Sequence, residues 1–138
     1  MGENIQVEIV SPEQLVFSEQ ADSITVPGLE GYFTIMGEHA PIMSILKPGF
    51  ITVNAGKGKS TFYVAGGFAD ISPAGITILA EETKTSADFN SEEIQAAILD
   101  AKTKLETADG HEEISFAQAT LDGFKNLADE VGHMKPFG

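Results

Sequence analysis

The chain has 138 residues, 42% of them apolar, which suits one medium globular domain or a small domain with an appendage and excludes a disordered segment. Its net charge is -13, from 21 acidic residues against eight basic ones, all Lys; such a chain repels nucleic acid and anionic lipid headgroups, and it lacks Arg, the usual bidentate phosphate ligand. With no Cys, no signal-peptide pattern and no apolar run of about 18 residues, it has no disulfide or thiolate metal site and inserts nothing into lipid, and its default location is cytoplasmic.

The first part of the chain reads as strands. Ile5, Val7 and Ile9 alternate with Gln6 and Glu8, the period of two of a half-buried strand. Short strands follow at 15–18 and 24–26, and 32–36 is aromatic and β-branched. Phe50, Thr52 and Asn54 alternate with Ile51 and Val53, and 61–65, 68–72 and 76–80 complete the series. Turn signals separate the runs: Ser11-Pro12, Pro27-Gly28, Lys47-Pro48-Gly49, Gly56-Lys57-Gly58 and Pro73-Ala74-Gly75. Many short strands at this spacing predict an antiparallel all-β sandwich or flattened barrel over residues 1–86.

Near Ser86 the period changes to 3.6. Asn90-Ser91-Glu92-Glu93 reads as a capping box opening a helix, with Ile94, Ala97, Ile98, Ala101 and Leu105 on one face and Asp109-Gly110 as its stop. A second box at Ser115-Phe116-Ala117-Gln118 predicts a second helix, with Phe116, Thr120, Phe124, Leu127 and Val131 on its apolar face. Gly123 inside it weakens that helix by about 1 kcal/mol relative to Ala. Residues 87–138 are thus expected to form an antiparallel two-helix hairpin, which buries too little to be stable alone and must rest on the sandwich or a partner.

Chemical motifs are few. Gly56-Lys57-Gly58-Lys59-Ser60-Thr61 resembles the end of a phosphate loop, but Val53 stands where its first Gly belongs, and a strand rather than a helix follows; a Gly-rich hairpin turn is the better reading. His39, His111 and His133 share no ligand spacing, so no metal is expected. There is no Gly-x-Ser-x-Gly elbow and no thiol nucleophile, and no carboxylate pair is placed around a substrate. No catalytic residue, cofactor or enzymatic activity is expected.

One segment is specific. Residues 27–49 run Pro27-Gly28-Leu29-Glu30-Gly31-Tyr32, then Phe33 to Gly37, then Glu38-His39-Ala40-Pro41, then the short apolar strand Ile42-Met43-Ser44-Ile45-Leu46 and the turn Lys47-Pro48-Gly49. Gly28 and Gly31 permit backbone angles closed to other residues, and Pro41 holds Ala40 extended. This string resembles the signature of the epsilon subunit of bacterial rotary ATP synthases: a Gly-containing turn, a strand, a His-Ala-Pro loop, apolar residues and a Pro-Gly turn. Val64-Ala65-Gly66-Gly67-Phe68 is similar to the family's Gly-Gly strand pair. The opening with Ser11-Pro12-Glu13 and the Ser115-Phe116-Ala117-Gln118-Ala119 segment match as well. The resemblance spans about Ile5 to Val131, and without the transit peptide of the mitochondrial counterpart a bacterial origin fits better.

The resemblance implies a non-catalytic subunit of the central stalk of a proton-translocating ATP synthase, peripheral at the cytoplasmic face of the bacterial inner membrane. Its sandwich would clasp gamma and contact the c-ring, coupling ring rotation to the catalytic head. Its helical hairpin would either fold back or extend to the alpha/beta head and restrain ATP hydrolysis. Carried over by residue, Glu30, Gly31 and Tyr32 match the turn that faces the c-ring; Tyr32 stands where an acidic residue is common, and Glu30 can compensate. His39 and Ser44 match positions against gamma, with Ala40 and Pro41 in the same loop. Some members bind ATP at the start of the first helix through an apolar residue, Asp, two variable residues, Arg and Ala; here Asn90, Glu93 and Ile94 replace Asp, Arg and Ala. The two basic residues of the second helix and tail, Lys125 and Lys135, against Asp122, Asp129 and Glu130, imply weak inhibition. The competing reading is a stand-alone β-sandwich binding module with a helical latch, and a small hydrolase is a distant third.

Overall fold

The structure is a computed structural model describing residues 4–37, 41–56 and 58–134, with side chains in the last helix as far as residue 129. The chain divides into two compact units, Met1–Thr83 and Lys84–Gly138.

The first unit is built from short strands: β1 (Ile5–Val10), β2 (Leu15–Ala21), β3 (Ser23–Gly28), β4 (Gly31–Met36), β5 (Ile42–Leu46), β6 (Gly49–Ala55), β7 (Gly58–Val64), β8 (Gly67–Ser72), β9 (Gly75–Ala80) and the two-residue β10 (Thr83–Lys84). They follow the order β10-β7-β6-β3-β5-β8-β9-β1-β2, with β4 on the other side of β3. The single pair Gly28–Leu46 joins β3 to β5, so the order reads as two sheets joined at one point. Alternation puts Val7, Ile9, Ile24, Val26, Ile51, Val53, Val64, Ile76 and Ile78 at 0–1% exposure in one core. Each such side chain contributes roughly 1.5–3 kcal/mol by leaving water.

The β-sandwich followed by two helices is the fold class the sequence predicts. In detail the structure departs from the sequence reading at three places. First, β1 runs parallel to β9, whereas β1–β2, β3–β4, β6–β7 and β8–β9 are antiparallel. Period-two alternation is the same for either direction, so sequence pattern does not distinguish them. Second, Pro27 and Gly28 are strand residues paired with Tyr32 and Gly31, and the turn is Leu29-Glu30. Pro27 donates nothing to the ladder, but its carbonyl accepts the Lys47 N–H at 2.8 Å. Third, the second helix starts before Ser115. The hairpin expected between β6 and β7 is present: Ala55 pairs with Gly58, and Gly56, at φ 57, donates its N–H to Asp22 Oδ2 at 2.8 Å.

The second unit holds a 3-10 turn (Ser86–Asp88), α1 (Ser91–Thr107) and α2 (His111–Met134). Asn90 caps α1 reciprocally: its Oδ1 accepts the Glu93 N–H at 2.8 Å, and Glu93 Oε1 accepts the Asn90 N–H at 3.0 Å. Ile94 and Ala101 are buried, with Ala97, Ile98 and Leu105 half-buried beside them, the face the sequence predicts. α2 begins at His111 because another cap was available: Glu113 accepts the Asp109 N–H at 2.9 Å, and Glu112 and Glu113 favour the positive end of the helix. Ser115 is therefore an exposed interior residue, and Gln118 bonds Asp122 one turn on instead of capping. Leu121, Phe124 and Leu127 are the buried residues of α2; Val131 lies beyond the described side chains. α2 continues through Gly123 unbroken.

The segment before α1 is tied into this unit. Asp88 Oδ2 accepts the Thr85 N–H at 2.9 Å, Lys84 Nζ lies 3.7 Å from Glu93 Oε2 and 5.0 Å above the Phe89 ring, and Phe89 meets Phe124 of α2 edge-on at 6.3 Å.

Candidate partner-docking face

Strand register places the outward side chains of β5, β8, β9, β1 and β2 in rows. Ile45 pairs with Phe68, Phe68 with Leu79, Leu79 with Val10, and Val10 with Leu15. Ile45 is 51% exposed, Phe68 45%, Leu79 46% and Leu15 57%, with Val10 half-buried. Five strands at roughly 4.8 Å give a continuous apolar row about 19 Å long on a solvent-facing sheet. Met43, two residues before Ile45, extends it at 63% exposure. An uninterrupted exposed apolar row of this kind marks a surface meant to be covered.

The sequence reading did not single out this row. Its signal is a failure of alternation: β5 (IMSIL) and β9 (GITILA) carry apolar residues on both faces, where a half-buried strand should be polar on one.

The residues expected to face partners divide between two places. Glu30 is exposed in the β3–β4 turn, and Gly31, at φ 129, begins β4. Tyr32 is half-buried, and its hydroxyl accepts the Phe50 N–H at 3.1 Å, so this side chain also braces β6. The Gly28–Leu46 pair sets this turn beside the end of β5, next to the Ile45 end of the apolar row. Pro41 is exposed at the opposite end of β5, about 16 Å away at 3.3 Å per residue. Ser44 is half-buried and in register with buried Ala69, while its neighbours Met43 and Ile45 are exposed. His39 and Ala40 lie outside the described residues.

Among the described residues no group of three or more His, Asp or Glu side chains is arranged to hold a metal ion, and no helix is long and apolar enough to cross a membrane. At the start of α1 Asn90 Oδ1 and Glu93 Oε1 serve the cap, and the Glu93 carboxylate adds a negative charge that opposes a phosphate there. Calorimetric titration of MgATP into the full-length protein is expected to show no binding in the micromolar range; micromolar affinity would contradict this reading of the cap.

Residues 4–86 match the family described as "ATP synthase, Delta/Epsilon chain, beta-sandwich domain". The ATP synthase epsilon chain of Rhizobium rhizogenes (strain K84) is 45% identical over 132 residues, covering 95% of this chain and 98% of that one. That of Parvibaculum lavamentivorans is 40% identical, covering 95% of this chain and 100% of its own. A chain in the Euglena gracilis mitochondrial ATP synthase, solved with OSCP, F1 and c-ring, shares the fold at a TM-score of 0.65 and 21% identity, over 95% of this chain and 83% of that chain.

Proposed function

This chain belongs to the ATP synthase epsilon-chain family, and on that premise we propose that it is a non-catalytic rotor subunit whose sandwich docks on gamma and the c-ring and so couples ring rotation to the catalytic head. The observation that carries the docking role is the exposed apolar row from Ile45 to Leu15, which a free-standing module would leave in water. Relatives that match nearly end to end are epsilon chains, so a stand-alone binding module is the less favoured reading.

The docking surface we propose has two parts. The apolar row meets gamma together with Pro41 and Ser44, and with His39 and Ala40, which lie outside the described residues; the turn carrying Glu30, Gly31 and Tyr32 faces the polar loops of the c-ring. Residues 1–86 form the docking domain and 87–138 the regulatory hairpin, whose acidic second helix gains little from the alpha/beta head and restrains hydrolysis weakly. The subunit sits peripherally at the cytoplasmic face of the bacterial inner membrane, held by its partners.

Capture of purified gamma by the chain cut near Thr85 tests the division of labour. Capture equal to that of the full-length protein is expected. Loss of capture by a truncated protein that still shows a cooperative β-type melting transition would place the docking surface in the hairpin instead.

A further inference from the structure

Beside the apolar row runs a second outward row. Met43 pairs with Asp70, Asp70 with Thr77, Thr77 with Glu8, and Glu8 with Ser18. It lies two residues along from the first on four of the strands and three on β2, where the register shifts, roughly 6.7 Å away. Asp70 is exposed and Glu8 half-buried, and Ala69, Ile71, Val7 and Ile9 on either side of them point into the core, which fixes both carboxylates on the outer face. The strands β1, β2, β5, β8 and β9 contain no Lys at all. Past the other side of the apolar row the charges are mixed, since Lys47 follows β5, Glu81 follows β9 and Glu13 precedes β2. The face is therefore apolar along one line, with acidic charges alone along one border and a Lys among the carboxylates of the other.

From this asymmetry we infer that the partner surface covering the row is an apolar patch edged on one side by Lys or Arg, ranged opposite Asp70 and Glu8, and that these two carboxylates set the orientation and speed of docking. The inference rests on the reading that this face docks on gamma; it adds the chemistry that gamma must present and the residues that read it. Exposed charges at the border of an apolar contact act mainly on the encounter, steering the approach and rejecting the reversed orientation, while the buried row sets the lifetime of the complex. Because the rest of the chain is also acidic, a cationic partner surface is attracted from every direction, and only the one-sided border distinguishes one docking orientation from its opposite.

The test is the association rate of the full-length protein with purified gamma, measured at about 50 mM and 300 mM salt, a range over which the screening length shortens about 2.4-fold. The unaltered protein should associate roughly tenfold more slowly at the higher salt. Glu8→Lys with Asp70→Lys should slow association at least about tenfold at low salt and flatten the salt dependence, with the dissociation rate changed less than about threefold. Glu8→Gln with Asp70→Asn should fall between, and this milder pair carries the test if the reversed protein does not fold. A complex that forms at a salt-independent rate, or one whose association is untouched by either pair, overturns the charge inference and leaves docking intact. Failure of the unaltered, folded protein to bind gamma overturns both.

Discussion

Ile45→Thr combined with Phe68→Thr should reduce the affinity of the full-length protein for gamma at least 100-fold, about 2.7 kcal/mol. The two side chains are directly paired across β5 and β8 at the β5 end of the outer apolar row, 51% and 45% exposed. Thr keeps the β-branched shape that strands favour while making the outer face polar, so the thermal midpoint should move little. In a docked complex the same change removes two large apolar contacts and leaves hydroxyls without assured partners, and a few such residues carry most of the binding energy of an interface. Surface-capture titration reads the affinity and circular dichroism the fold. Unchanged affinity would move the docking face elsewhere on the sandwich.

Gly67→Ala should be among the most destabilising single-atom additions to this chain, about 3 kcal/mol or more, lowering the thermal midpoint by on the order of 10 °C. Two separate effects combine. Gly67 has φ 142, a region that L side chains rarely enter, and a Cβ there would run into the Leu79 carbonyl oxygen and crowd Ala80 Cα at 3.0 Å. The obstacle is the backbone of β9, paired with β8 through Gly67–Ala80, and it cannot swing aside like a side chain. At Gly58, by contrast, a Cβ meets nothing within 4 Å and φ needs no glycine, so Gly58→Ala is a matched control expected to shift the midpoint by only a few degrees. Equal stability of the two variants in thermal unfolding would contradict the geometry at the β8–β9 approach.

Much of this fold was legible because alternation and helical period report burial directly. β1 alternates buried and half-buried residues, as Ile5, Val7 and Ile9 predict, and the inner face of α1 is the face of Ile94 and Ala101. What the pattern could not carry is information about neighbours in space. The parallel pairing of β1 with β9, the displacement of the turn from Pro27-Gly28 to Leu29-Glu30, and the tie between Phe89 and Phe124 all depend on residues distant in sequence. α2 starts earlier than Ser115 because two cap chemistries compete within five residues, and the carboxylate of Glu113 holds the earlier one. For the docking face, the resemblance directed attention to the Tyr32 turn and the His39 loop, while the register across five strands assembles the exposed row from residues as far apart in sequence as Val10 and Leu79. The Gly66-Gly67 pair was legible as a family mark; its physical reason, the close approach to Leu79, needed the structure.

The most direct test of the account is the interaction of the full-length, unaltered protein with purified gamma, followed by size-exclusion chromatography and titration calorimetry. A stable complex, lost on placing Thr at positions 45 and 68, is the predicted result. Two folded proteins that elute separately at micromolar concentration, with no heat of mixing, would contradict it.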